Sequence, residues 1–205
     1  MSTVSLAPHW SFSDSPDVLT DVFNPNINLC VWERRDKEAL SQAARALVQH
    51  NSQGLIQTSG ERASIRQALQ SALPQQAQAL VADVDQLCDM LETLLDHHTW
   101  GIRLTVLDRA MCPRYHTDRV LARLITSYCG PGMQWLDNEQ IVRPSQSRAL
   151  DLPPEEDLVH RQLESGDVAL CKGDSWPDRP GFGLIHRSPA VATHQHRVLL
   201  TIDLC

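Results

Sequence analysis

Three features of the sequence predict an α+β fold, with helices in the N-terminal half and, in the C-terminal half, short strands rolled into a jelly-roll or small barrel with the helices packed on its outside. Apolar residues recur every three to four positions between 36 and 98, the period of a helix with one buried face. Beyond Trp100-Gly101 the period drops to two, and Gly, Pro, Asp and Asn cut the chain into short runs, as strands and turns require. His116 and Asp118 stand two apart, and both side chains can leave one face only where the backbone is extended. On a helix they would point about 200° apart.

Taken in order, residues 1–35 read as an irregular arm rich in Ser, Pro, Asp and Asn, with Trp10, Phe12, Val18, Leu19, Val22 and Phe23 as scattered anchors. Residues 36–100 read as a helical segment packed on the core. Its first helix carries Ala39, Leu40, Ala43, Ala44, Leu47 and Val48 at helical spacing and stops at Asn51 and Gly54. A short second helix covers 64–73. A third, over 74–98, has Leu80, Val84, Leu87, Leu91 and Leu94 or Leu95 on one stripe, which serves a core or a homodimer seam equally well. Residues 101–205 form the β core, and the three segments make one compact domain. Strands are expected over 102–107, 121–128, 166–173, 183–186 and 197–204, with a Gly-Pro-Gly turn at 130–132. The 137–157 loop, with three prolines and six acidic residues, is long enough for a lid or an insertion.

Composition excludes several functions. A net charge of -7 disfavours a nucleic-acid partner. No run approaches the roughly 18 to 20 apolar residues of a membrane span, and residues 1–10 have neither a basic nor an apolar leader region. A cytoplasmic protein is expected. Six cysteines without a C-x-x-C pair fit neither a disulfide scaffold nor a four-cysteine zinc site, so reduced thiols are expected.

The chemistry centres on His116, Asp118 and His186, with Arg197 eleven positions beyond the second histidine. Two imidazoles and a carboxylate can occupy one face of a divalent metal and leave the opposite positions free, as in non-haem Fe(II) oxygenases. Three protein ligands and a water also describe many Zn(II) sites, so iron and zinc both stay open. The bland alternative makes His116 and Asp118 a hydrogen-bonded pair at a barrel rim, with Arg197 paired to Asp203 or Asp118. His194 and His196 compete for the third ligand position but sit in a polar turn. Lys172, ending an apolar strand, is either a carboxylate anchor or a solvated lysine. Trp135 and Trp176 wall a substrate space or pack the core. Cys112 is a redox-sensitive thiol or a small buried hydrophobe.

Residues 101–205 resemble the 2-oxoglutarate-dependent Fe(II) oxygenase superfamily, which carries H-x-D, a distal His and a basic residue some ten positions later. Here these are His116-Thr117-Asp118, His186 and Arg197. The resemblance implies a double-stranded β-helix, cupin-like, with His116, Asp118 and His186 as metal-binding catalytic residues. It also implies Fe(II) and 2-oxoglutarate as cofactors, with Arg197 pairing the distal carboxylate of 2-oxoglutarate through its planar fork. Superfamily members often have Ser two residues after the Arg; Leu199 stands there, which leaves Tyr128, Thr126 or another hydroxyl to complete the carboxylate contact. Nearly the whole chain is also similar to a bacterial family designated domain of unknown function 1826. The segments concerned are 112–116, 128–136, the Gly-Asp-Val-Ala-Leu stretch ending in Lys172-Gly173, and His186-Arg187-Ser188-Pro189. Members are often encoded near zinc-homeostasis genes, including metallochaperone GTPases, which implies a zinc-binding alternative and a partner in zinc homeostasis. The prime substrate, a small molecule or a protein, is not written in the pocket-lining loops.

Overall fold

The computed structural model describes residues 8–51, 53–141, 150 and 152–205. Ten strands and three α-helices follow one another as β1 (Trp10–Ser13), β2 (Leu29–Trp32), α1 (Glu38–His50), β3 (Leu55–Gly60), α2 (Arg62–Ala72), α3 (Ala79–Leu95), β4 (Trp100–Leu107), β5 (Ala122–Cys129), β6 (Gln134–Leu136), β7 (His160–Gln162), β8 (Val168–Lys172), β9 (His186–Arg187) and β10 (Arg197–Leu204). Seven strands form a large sheet in the order β1-β2-β8-β5-β10-β4-β3, and three form a small sheet, β7-β6-β9. Every pairing is antiparallel except that of β1 with β2.

The helices form where an apolar stripe meets the large sheet. α1 buries Ala43, Ala44 and Leu47, α2 buries Ile65 and Leu69, and α3 buries Leu80, Val84, Leu87 and Leu91. All of these share one cluster with Ile102, Leu104, Val106, Leu124, Val168, Leu170, Val198, Leu200 and Ile202 from the strands. α2 ends at Leu73, which is extended because Pro74 follows it. α3 ends in a left-handed residue, Asp96. Alternate strand residues face the other way: Leu29, Val31, Ile125, Ala169, Cys171 and Leu199 meet Met133, Trp135, Leu163 and Leu184 in a second cluster between the sheets. Side-chain alternation along β5 and β10 therefore decides which residues can reach the space between the sheets.

Two expectations are revised and one open alternative is resolved. The arm over 1–35 is not irregular in its described part: it supplies β1 and β2, and β2 lies inside the large sheet against β8. A four-residue run such as Leu29–Trp32 becomes a strand through that pairing, not through a period of its own. The 36–100 segment is not wholly helical, because β3 pairs with β4 at the sheet edge, where its residues alternate only between exposed and half-buried. Trp135 and Trp176 are packing residues, buried in the second and first clusters respectively. Residues 142–149 and 151 of the expected lid lie outside the described residues. On either side of them, Ile141, Leu150, Leu152 and Leu158 pack against Tyr115, Leu136 and Ile185. No helix among the described residues is long and apolar enough to cross a membrane.

Candidate metal centre

His116 lies in the β4–β5 connection and His186 opens β9, and backbone pairing brings them together. The N–H of each donates to the carbonyl of the other, at 3.0 Å, a two-residue antiparallel bridge that sets the ring centroids 4.6 Å apart. Asp118 is fixed two residues on. Its carbonyl accepts from the Asp174 N–H at 2.8 Å, and Val120 O accepts from Ser175. Gly173 makes that contact achievable, since a Cβ there would come within 2.0 Å of Val120 O and 2.9 Å of Asp118 O. Thr117 Oγ1 donates to Asp174 Oδ2, tying the same two loops.

The donor atoms converge. Asp118 Oδ1 is 3.7 Å from His116 Nε2, and Asp118 Oδ2 is 3.4 Å from His186 Nε2. One ligand atom from each residue falls within 4.8 Å of the others. His116 Nδ1 is 2.9 Å from Arg114 O, and His186 Nδ1 is 3.1 Å from Leu184 O. A ring nitrogen beside a carbonyl carries the proton, so both Nε2 atoms keep a lone pair aimed at the common point. Burial pushes the His186 pKa down to about 4 against the upward pull of Asp118, so the ring is neutral at physiological pH. Asp118 Oδ2 is buried, with Arg123 Nη1 beside it at 2.8 Å. Two imidazole lone pairs and a carboxylate converging within 4.8 Å are the donor set a divalent cation takes, and the residues fit a metal.

A small pocket of about 60 Å³ adjoins the triad, lined by His116, His186, Met133, Leu199, Ser188 and Arg197 among others. Arg197 is only 2% exposed. Its Nε donates to Ser127 Oγ at 3.0 Å and its Nη1 to Ser188 Oγ at 3.2 Å. No carboxylate lies within ion-pair distance of it among the described residues, and burial alone lowers its pKa to about 10. The ion pair with Asp118 and Asp203 belongs to Arg123 instead.

The other expected co-substrate contacts are not in this pocket. Tyr128 and Thr126 sit on the helix-facing side of β5. Tyr128 Oη donates to Asp83 Oδ2 at 2.7 Å, and Thr126 Oγ1 accepts from Arg34 at 3.2 Å. The Lys172 side chain turns to the same side of the sheet, donating to Asn24 O at 2.8 Å and lying 5.0 Å over the Trp176 ring. The hydroxyls that reach Arg197 are Ser127 and Ser188, which sequence reasoning missed. Ser127 lies one residue from each hydroxyl that was named. Alternation along β5 decides this: Ser127 shares a face with Ile125, toward the small sheet, whereas Thr126 and Tyr128 share theirs with Leu124, toward the helices. Cys112 borders the pocket and is exposed rather than buried. His194 and His196 take no part in the cluster.

A prolyl-4-hydroxylase from Pseudomonas putida has a similar structure at 12% identity, covering 91% of this chain and 96% of that one with a TM-score of 0.50. The dioxygenase for auxin oxidation 1 from Arabidopsis thaliana, solved with 2-oxoglutarate, is similar at 9% identity, covering 97% and 92% with a TM-score of 0.55. At such identities these likenesses establish the fold alone, that of the 2-oxoglutarate/Fe(II) oxygenase jelly-roll. No curated protein matches the sequence. Residues 13–203 match the family described as "Protein of unknown function (DUF1826)", and the chain belongs to that family.

Proposed function

We propose that the protein is a non-haem Fe(II) oxygenase that uses a 2-oxo acid co-substrate, with His116, Asp118 and His186 holding the metal and Arg197 the far carboxylate of the co-substrate. The observation that carries this reading is Arg197, a buried cation with two hydroxyl partners and no carboxylate among the described residues, on the wall of the pocket that the triad opens into. A buried charge without a counter-ion is costly, and an anionic ligand supplies the missing partner. The structural neighbours, one of them solved with 2-oxoglutarate, support the same assignment.

Bound Fe(II) would supply open coordination positions at which O2 is activated as the 2-oxo acid is decarboxylated. The chain's own residues do the rest. Arg114 O and Leu184 O hold the two rings with Nε2 unprotonated. Arg197 orients one carboxylate bidentately, and Ser127 and Ser188 can turn their hydroxyl protons toward it while still accepting from the guanidinium. Ile125, Met133 and Leu199 line the wall between and keep water from competing for the charged groups.

The test is anaerobic reconstitution with Fe(II), then O2 and 2-oxoglutarate, with succinate as the readout. Turnover is expected, slow in the absence of a prime substrate, and abolished by His116→Ala. A protein that retains Zn(II) tightly and yields no succinate with Fe(II) overturns the oxygenase reading in favour of a zinc-binding protein.

A further inference from the structure

Arg123 and Asp203 form a device for which a carboxylate–imidazole metal site has a specific use. Arg123 projects from β5 on the face toward the triad. Its Nε donates to Asp203 Oδ1 at 2.6 Å and its Nη2 to Asp203 Oδ2 at 2.8 Å. This two-point contact with β10 fixes the plane of the guanidinium. The remaining corner, Nη1, lies 2.8 Å from Asp118 Oδ2. Burial opposes the charge on Arg123, but the hydrogen bond to Asp203 and the charges of Asp118 and Asp203 outweigh it and hold the guanidinium protonated. Arg123 also lines the pocket beside His116, His186 and Arg197.

A lone cation 2.8 Å from a ligand carboxylate would repel a divalent metal. Asp203 removes that objection. Asp118, Arg123 and Asp203 together carry one net negative charge, the same charge Asp118 would present alone, while the Asp118 carboxylate gains a rigid partner. The contact also occupies one carboxylate oxygen, which disfavours chelation by both and keeps coordination positions free. We infer that Arg123 and Asp203 are positioning residues for the metal centre, with Arg123 orienting Asp118 and Asp203 both fixing Arg123 and cancelling its charge. The inference rests on the metal-site reading of His116, Asp118 and His186.

The experiment titrates metal-free protein with Co(II), following the visible ligand-field bands and the dissociation constant, for wild type, Arg123→Gln, Arg123→Lys, Asp203→Asn and His116→Ala. Removing groups that orient first ligands typically weakens metal binding about 10–100-fold. Arg123→Gln and Asp203→Asn are expected to raise the Co(II) dissociation constant by about that factor and to alter the bands as Asp118 changes its mode of binding. Arg123→Lys, which keeps a charge but loses the fork, should fall between them and wild type. Asp203→Asn is the sharper variant because it leaves Arg123 uncompensated against the metal. It also stands in should Arg123→Gln fail to fold, judged by circular dichroism. Folded Arg123→Gln or Asp203→Asn with wild-type affinity and spectrum overturns the positioning role and leaves the triad intact. Wild-type protein that binds no Co(II), or His116→Ala that binds it unchanged, overturns the metal site itself.

Discussion

At Arg197 the proposed function and stability pull in opposite directions. Its side chain is buried, and among the described residues its side-chain partners are hydroxyls, so exchange for an apolar chain of similar length removes an uncompensated charge. Arg197→Met is therefore expected to leave thermal stability unchanged or higher, while 2-oxoglutarate affinity falls by about 10–100-fold, the worth of a charge-assisted contact of roughly 1.5–3 kcal/mol. Equal losses of stability and affinity would assign Arg197 to the fold instead. His186 supplies the pH counterpart. Burial lowers its pKa to about 4 from an ordinary value of 6.5, so between those limits the unfolded chain binds more protons than the folded one, and stability falls as pH falls. In metal-free protein the thermal midpoint is expected to drop from pH 7 to pH 5, with a ceiling of about 3 kcal/mol at full protonation. His186→Gln should flatten that dependence, and a profile as steep as wild type would place the responsible group elsewhere.

At the scale of elements, the site depends on how loops are pressed together. Gly173→Ala would drive a methyl to 2.0 Å from Val120 O, so the connection that carries Asp118 must move. A loss of about 1–3 kcal/mol in stability, as for other overpacked sites, is expected together with weaker metal binding. Stability alone changing would show that Asp118 does not depend on this contact. Across the large sheet, Arg34 and Asp83 form a buried ion pair that Tyr128 joins; Asp83→Ala should cost roughly 3–5 kcal/mol in chemical denaturation, because it strands a buried guanidinium. These examples mark what the sequence could and could not disclose. α1 and α3 were legible because one stripe repeats over three turns or more, and β4 and β10 because alternation runs for eight residues. β1 and β2 were not, since four residues carry no period and their strand character comes from pairing with distant partners. The triad was legible because H-x-D needs no tertiary information to be recognised. Tyr128, Thr126 and Lys172 point to the other side of the sheet, and Ser127 was overlooked, because the face of β5 and β8 that meets the small sheet follows from how the strands pair and pack, and both faces are buried. Which buried face meets which layer is invisible in a single strand's sequence.

For the molecule as a whole, the donor set joins parts of the chain that are otherwise separate. His116 and Asp118 come from the connection leading into the large sheet, and His186 opens a two-residue strand of the small sheet. β9 is held to β6 by a short ladder and to His116 by a single bridge. A cation bound by all three residues would cross-link the two sheets at their weakest-paired edge. Because only the folded chain assembles the three ligands, binding must raise stability by mass action, about 2.7 kcal/mol at a hundredfold excess over the dissociation constant. For a chain of this size that corresponds to roughly 5–10 °C in thermal midpoint. The rise is expected with Co(II) and should vanish with a chelator and in His186→Ala. Hydrogen exchange should locate it, with amide protection increasing at Trp135, His116 and His186 while α1 and α3 exchange as before. A midpoint that climbs equally in His186→Ala, or protection that spreads over the helices instead, would mean that the ion binds somewhere other than between the sheets.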